Sequence, residues 1–74
     1  MQAYVLVETA TGKAIQVAEA AREIAGVQRA DVVMGPHDVI ILLEGESNKL
    51  GSVLIDKIRG LEGVEHTLTY MVVG

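Results

Sequence analysis

Two short steps, Ala25-Gly26-Val27 and Glu62-Gly63-Val64, stand half a chain apart, and each closes a stretch of helical periodicity and opens one of strand character. A single small domain with this duplication is restricted to two similar halves. In the first, Ala14, Val17, Ala18, Ala21, Ile24 and Ala25 recur at three-and-four spacing while Lys13, Gln16, Glu19, Arg22 and Glu23 take the other face, which predicts a helix over Lys13 to Ala25. Thr9-Ala-Thr-Gly12 offers hydroxyl caps before it, and Gly26 stops it. In the second half Gly45-Glu46-Ser47-Asn48 breaks the preceding pattern and makes Ser47 an expected N-cap. Leu50, Val53, Leu54, Ile58 and Leu61 then mark a second amphipathic helix that ends at Gly60 or Gly63. Strands are expected at Ala3 to Val7, Val27 to Met34, Val39 to Leu43 and Val64 to Val73, where β-branched and apolar residues concentrate. On the last of these Thr67, Thr69 and Met71 share one face and Leu68, Tyr70 and Val72 the other.

The order strand, helix, strand, strand, helix, strand describes one domain over residues 1–74. Two βαβ halves in one sheet form an α+β, ferredoxin-like βαββαβ fold: a four-stranded antiparallel sheet whose right-handed crossovers place both helices on one face. Such a sheet leaves its other face bare. The strands that would be central, Tyr4 to Val7 and Val39 to Leu43, are nevertheless apolar on both sides, so the second face needs cover. A chain of 74 residues with no Cys has a thin margin from its own core and no disulfide to reinforce it. Another copy, packed sheet to sheet in a two-fold dimer, satisfies both needs.

A net charge of −4 argues against direct nucleic-acid binding, which depends on clustered Lys and Arg, and the six basic residues here are scattered. No apolar run approaches the roughly 18 residues of a membrane span, and the first residues lack the basic and cleavage regions of a signal peptide. A soluble cytoplasmic protein is expected.

Polar, bendable and ionisable residues converge in one place, Met34-Gly35-Pro36-His37-Asp38, between the second and third strands. Gly tolerates positive φ, Pro presets its own, and the His-Asp pair sets two hydrogen-bonding side chains on the turn. Taken alone, Gly35-Pro36 makes a hairpin turn and Asp38 bonds the backbone N–H groups of that turn. His37 and His66 lack a third ligand at metal-binding spacing, and no nucleophile or phosphate loop accompanies them, so neither a metal site, a cofactor nor a catalytic centre is assigned. Thr67 and Thr69 read most simply as β-favouring residues, and Glu44, Glu46, Asp56, Glu62 and Glu65 as a solvated acidic surface.

Val33-Met-Gly-Pro-His-Asp38 before an apolar strand, with Ile24-Ala-Gly-Val27 upstream and Glu62-Gly-Val-Glu-His-Thr-Leu-Thr69 at the end, resembles the ligand-binding domain of Lrp/AsnC transcription regulators, the RAM domain for regulation of amino acid metabolism. The resemblance covers essentially the whole chain. Its most specific element is the Gly-x-x-Asp loop at Gly35 and Asp38. Because typical members carry an N-terminal helix-turn-helix domain and this sequence opens on the first strand, it looks like a stand-alone RAM protein. The resemblance implies sheet-to-sheet dimers assembled into a ring, with amino-acid effectors held between dimers by the loop. Met34, Gly35, Pro36, His37 and Asp38 are then expected ligand contacts, with Asp38 accepting from an ammonium group and His37 donating. Thr67 and Thr69 correspond to the family's polar C-terminal strand. Partners implied are an amino acid or related metabolite, further copies of the chain, and a full-length Lrp/AsnC regulator that shares the sheet surface.

Three rival readings keep the same topology. An interaction module would use the loop for subunit contacts and bind no ligand. A small dimeric α/β-barrel enzyme would need a cavity furnished with polar and aromatic groups, whereas the chain has two Tyr, no Phe and no Trp. An ACT-type regulatory domain would carry its ligand-contacting glycine after the first strand, where Glu8-Thr9-Ala10-Thr11-Gly12 stands.

Overall fold

A computed structural model describes residues Met1–Gly74. Four strands, β1 (Gln2–Thr9), β2 (Val27–Val32), β3 (Val39–Glu44) and β4 (Val64–Met71), form one antiparallel sheet in the order β2-β3-β1-β4. The helices α1 (Ala14–Arg22) and α2 (Ser47–Lys49 continued by Leu50–Leu54 and Ile55–Arg59) follow β1 and β3. This is the expected βαββαβ, ferredoxin-like arrangement, with β1 and β3 central.

The strand period of two divides every strand between the helix side and the open side. On the helix side Ala3, Val5 and Val7 of β1 pair across from Leu43, Ile41 and Val39 of β3, and all six are wholly buried. Ala30 on β2, Val17, Ala18 and Ala21 of α1, and Leu50, Leu54 and Ile58 of α2 complete a core of 13 apolar residues. No polar or charged side chain is buried. Helix α1 lies over β2 and β3, and the end of α2 lies over β4. Arg22 ties α1 to the edge strand β2, its Nε and Nη2 donating to the Ala30 carbonyl at 3.1 and 2.7 Å.

Helix boundaries differ from the sequence expectation. Helix α1 is shorter than Lys13 to Ala25, and Lys13 occupies its N-cap position with no side-chain capping bond, so the Thr9 and Thr11 hydroxyls do not cap it. Backbone supplies the closure, Lys13 N–H donating to the Ala10 carbonyl at 3.0 Å. Glu46, not Ser47, is the N-cap of α2, also without a side-chain bond. That helix has three continuous parts: α-helical Ser47–Lys49, π-helical Leu50–Leu54 and α-helical Ile55–Arg59. Within it Ile55 N–H reaches back to the Leu50 carbonyl, and Ser52 Oγ donates to the Asn48 carbonyl at 2.8 Å. The widened turn keeps Leu50, Leu54 and Ile58 in line on the core and leaves Val53, expected in the apolar stripe, 40% exposed. Strands β2 and β4 end at Val32 and Met71, short of the expected Met34 and Val73.

The repeated glycines have a geometric reason. Gly26 and Gly63 both adopt positive φ, at 101° and 96°. A Cβ on Gly26 would lie 2.8 Å from Leu54 Cδ1 and 3.2 Å from the Glu44 carbonyl, and one on Gly63 would lie 2.9 Å from Lys13 Cβ. Each glycine lets a strand start directly beneath a helix. Gly35, by contrast, does not have positive φ, and a Cβ there would meet nothing within 4 Å. Its turn therefore does not depend on left-handed backbone. Gly26→Ala and Gly63→Ala are each expected to lose roughly 1–2 kcal/mol from the backbone alone, and more from the collision, whereas Gly35→Ala leaves stability nearly unchanged; urea denaturation of the three variants measures the contrast.

Candidate functional site

The β2–β3 connection, residues 33–38, projects from one end of the two central strands. Met34 is fully solvent-exposed and, with Val33, Gly35, Pro36 and His37, walls a recess of about 240 Å³ whose floor is Leu6 and Ile40. Leu6 and Ile40 face each other across β1 and β3 on the open side of the sheet. The recess therefore opens onto that side. Pro36 narrows the conformations of the turn, and the half-buried His37 is the one ionisable side chain lining the recess.

Asp38 turns the other way. Its Oδ2 accepts the Thr9 N–H at 2.9 Å, with the Thr9 hydroxyl at 3.4 Å. The pairing of β1 with β4 slips between Glu8 and Thr9, so the carboxylate meets a backbone donor at a bulge. Asp38 also donates its own N–H to the Val7 carbonyl at 2.8 Å and accepts from Val33 N–H at 2.9 Å. One residue thus joins the ends of β1, β2 and β3. The turn's own N–H groups, the partners expected from sequence, are not the ones the carboxylate takes. Its Oδ1 makes no hydrogen bond within the chain and remains an acceptor.

Thr67 and Thr69 stand opposite Val7 and Val5, which lie under the helices, so their hydroxyls are on the helix side of the sheet. There Ile55 and Arg59, one helical turn apart, overhang the edge strand β4 and leave a polar groove of about 390 Å³. Thr67 and Thr69 form one wall by alternation, Glu65 lines the groove from the bulge where the β1–β4 register slips, and Val64 and His66 complete it. The structure brings Met34, Gly35, Pro36 and His37 together around one recess and places Thr67 and Thr69 in a different groove across the sheet. Arg59 was not among the residues singled out from sequence, since nothing in the local pattern shows that the end of α2 overhangs β4. Glu65 was read only as part of the solvated surface.

The open face is continuous and largely apolar. One row across it runs Arg29, Leu42, Tyr4, Tyr70 and the next Asp31, Ile40, Leu6, Leu68. Leu68 is 45% and Tyr70 55% exposed on the edge strand β4, where they extend the apolar rows of the two central strands. Arg29 and Asp31 form an ion pair at the β2 edge, Nη2 to Oδ2 at 2.9 Å. No helix is long and apolar enough to cross a membrane.

A model of the Lrp/AsnC ligand binding domain matches residues 2–74. The chain belongs to this family. Among solved structures, a hypothetical protein from Pyrococcus horikoshii is 30% identical, with 97% of this chain and 88% of that one covered at a TM-score of 0.88. AsnC from E. coli superposes with a TM-score of 0.88 at 19% identity, 99% of this chain covering 50% of that regulator. A transcriptional regulator from Neisseria meningitidis, solved as its L-Met complex, is 18% identical with a TM-score of 0.79, 99% of this chain covering 49% of it. The chain thus spans about half the length of these two regulators, which show the fold. No curated protein matches by sequence. An Lrp/AsnC ligand-binding domain is a regulatory module.

Asp38→Ala removes the acceptor of Thr9 N–H and is expected to cost about 1–3 kcal/mol, whereas Asp38→Asn keeps an oxygen at the same place and loses less than half of that. Denaturation midpoints of the two variants separate the carboxylate's structural bond from its charge.

Proposed function

We propose that this domain binds an amino acid or a related small metabolite at an interface between copies of itself, in the cytoplasm, and that it acts without catalysis in transcriptional or metabolic regulation. The observation that carries the reading is the division of the polar groups. The loop recess and the Thr67–Thr69 groove lie on opposite faces of one sheet, so a site using both must be assembled from more than one subunit. Met34, Gly35, Pro36, His37 and Asp38 would approach the ligand from one copy, with Asp38 Oδ1 free to take an ammonium proton, and Thr67 and Thr69 from another. The uncovered rows of Tyr4, Leu6, Ile40, Leu42, Leu68 and Tyr70 support a sheet-to-sheet dimer, and a ring of such dimers would bring loops against neighbouring grooves.

Ligand binding at a shared site favours whichever assembly completes the pocket, and that differential affinity is what couples metabolite to oligomer. A full-length Lrp/AsnC regulator carries a similar domain and would offer the same sheet surface, so mixed assemblies are a route from this chain to DNA. The acidic chain itself gives no basic surface for direct contact with nucleic acid.

Two measurements test the reading. A thermal-shift screen of the common L-amino acids is expected to give a selective rise in melting temperature, since a ligand that binds only the native assembly stabilises it by mass action. No shift with any of them, from a folded oligomer, would favour an interaction module instead. Leu6→Asp or Ile40→Asp is expected to give a folded monomer by light scattering. Val5→Asp and Ile41→Asp, whose side chains lie in the core, are expected to unfold the domain.

A further inference from the structure

We infer that the outer edge of β2 is a self-complementary surface that pairs with the same edge of a second copy of this chain, and that Arg22 holds it closed. Such pairing needs no ligand. Val32 stands opposite Val39, and the next residue, Val33, donates its N–H to the Asp38 carbonyl. Inter-strand bonds alternate along an antiparallel pair, so Asp31 bonds towards β3 while Ala30 and Val32 present their N–H and C=O groups away from it. Because β2 is an outermost strand, those groups form a free sheet edge. Arg22 occupies it. Both Nε and Nη2 donate to the Ala30 carbonyl, and the side chain has no carboxylate partner, so a neutral acceptor alone holds the guanidinium across the edge.

The edge behind Arg22 matches itself. When two β2 strands meet antiparallel about a two-fold axis at Ala30, the two Ala30 residues exchange N–H···O=C bonds and Arg29 of each copy stands opposite Asp31 of the other. Opposite charges directly across a strand pair are favourable and like charges are not. An axis at Arg29 or at Asp31 sets like charges face to face, so the charge pattern selects the axis at Ala30. Both side chains are available for this, being 67% and 47% exposed, and in the single chain they satisfy only each other. They lie on the open side of the sheet, whereas Ala30 is buried on the helix side, from which Arg22 reaches over. Arg22 therefore blocks the central acceptor and leaves the charge pattern intact. At the opposite edge the chain uses other means: Ile55 and Arg59 of α2 overhang β4, and β4 carries no charge from Thr67 to Met71 that could select a register.

The test is light scattering over a range of concentrations in the Leu6→Asp chain, which separates the edge from the open sheet face. Leu6→Asp alone is expected to be monomeric. Adding Arg22→Met, which keeps the aliphatic stem and deletes the donors, is expected to give a species of about twice the mass that grows no further, because each chain has one such edge. Arg22→Lys, which retains a donor for the same carbonyl, is expected to stay monomeric, and melting temperatures within a few degrees of one another check the fold. Charge reads the register. Asp31→Arg added to Arg22→Met is expected to abolish the dimer by opposing like charges, and Arg29→Asp added to that chain to restore it. A monomer with Arg22→Met at every concentration overturns the inference, and so does a dimer indifferent to both charge changes. If Leu6→Asp dimerises with Arg22 in place, loss of that dimer on Asp31→Arg overturns the closed edge, whereas its persistence overturns the sheet-to-sheet dimer proposed above.

Discussion

The interdigitation of Ala3, Val5 and Val7 with Val39, Ile41 and Leu43 beneath the two helices is the contact on which the rest of this domain depends. It fixes which side of each central strand is inward. Because side chains alternate along a strand, the same register drives Tyr4, Leu6, Ile40 and Leu42 outward, and no element of the chain lies over them. The core is thin and wholly aliphatic, with no buried polar group to specify it. Its uniqueness comes from close approach at two places, Gly26 against Leu54 and Gly63 against Lys13, where a side chain would hold strand and helix apart.

The sheet is also a partition. Residues on β4 alternate between a polar groove under α2 and an apolar open face, so Thr67 and Thr69 cannot share a pocket with the loop of their own chain. Within one chain the loop and the groove therefore belong to separate surfaces. Asp38 holds the arrangement at the sheet's end, where its backbone and carboxylate connect β1, β2 and β3. The loop is therefore anchored on one side by hydrogen bonds and free on the other, where Met34 reaches into solvent.

Much of this is legible in the sequence. The helical stripes of Val17, Ala18, Ala21 and of Leu50, Leu54, Ile58, the two-sided apolar character of β1 and β3, and the Gly26 and Gly63 repeat are local patterns, and local periodicity records which face is buried. Helix ends were less legible. Thr9, Thr11 and Ser47 have the chemistry of N-caps, yet backbone closes the start of α1, no side chain caps α2, and Thr9 is drawn to Asp38 instead. A cap is one of several partners a hydroxyl can take, and the nearest is decided by packing across the sheet. The π-helical turn in α2 was hidden for a related reason: widening the turn aligns Leu50, Leu54 and Ile58 on the core, and only the sheet beneath requires that alignment.

The sequence by itself determined the element order, the fold and the apolar face left over, because each follows from short-range periodicity. Only the tertiary structure decided that Asp38 bonds Thr9, that the loop and the threonines lie on opposite faces, and that Arg59 and Glu65 meet in one groove. Those are contacts across strands and between a helix and an edge strand. Their partners come together only when register and helix placement are set by the core.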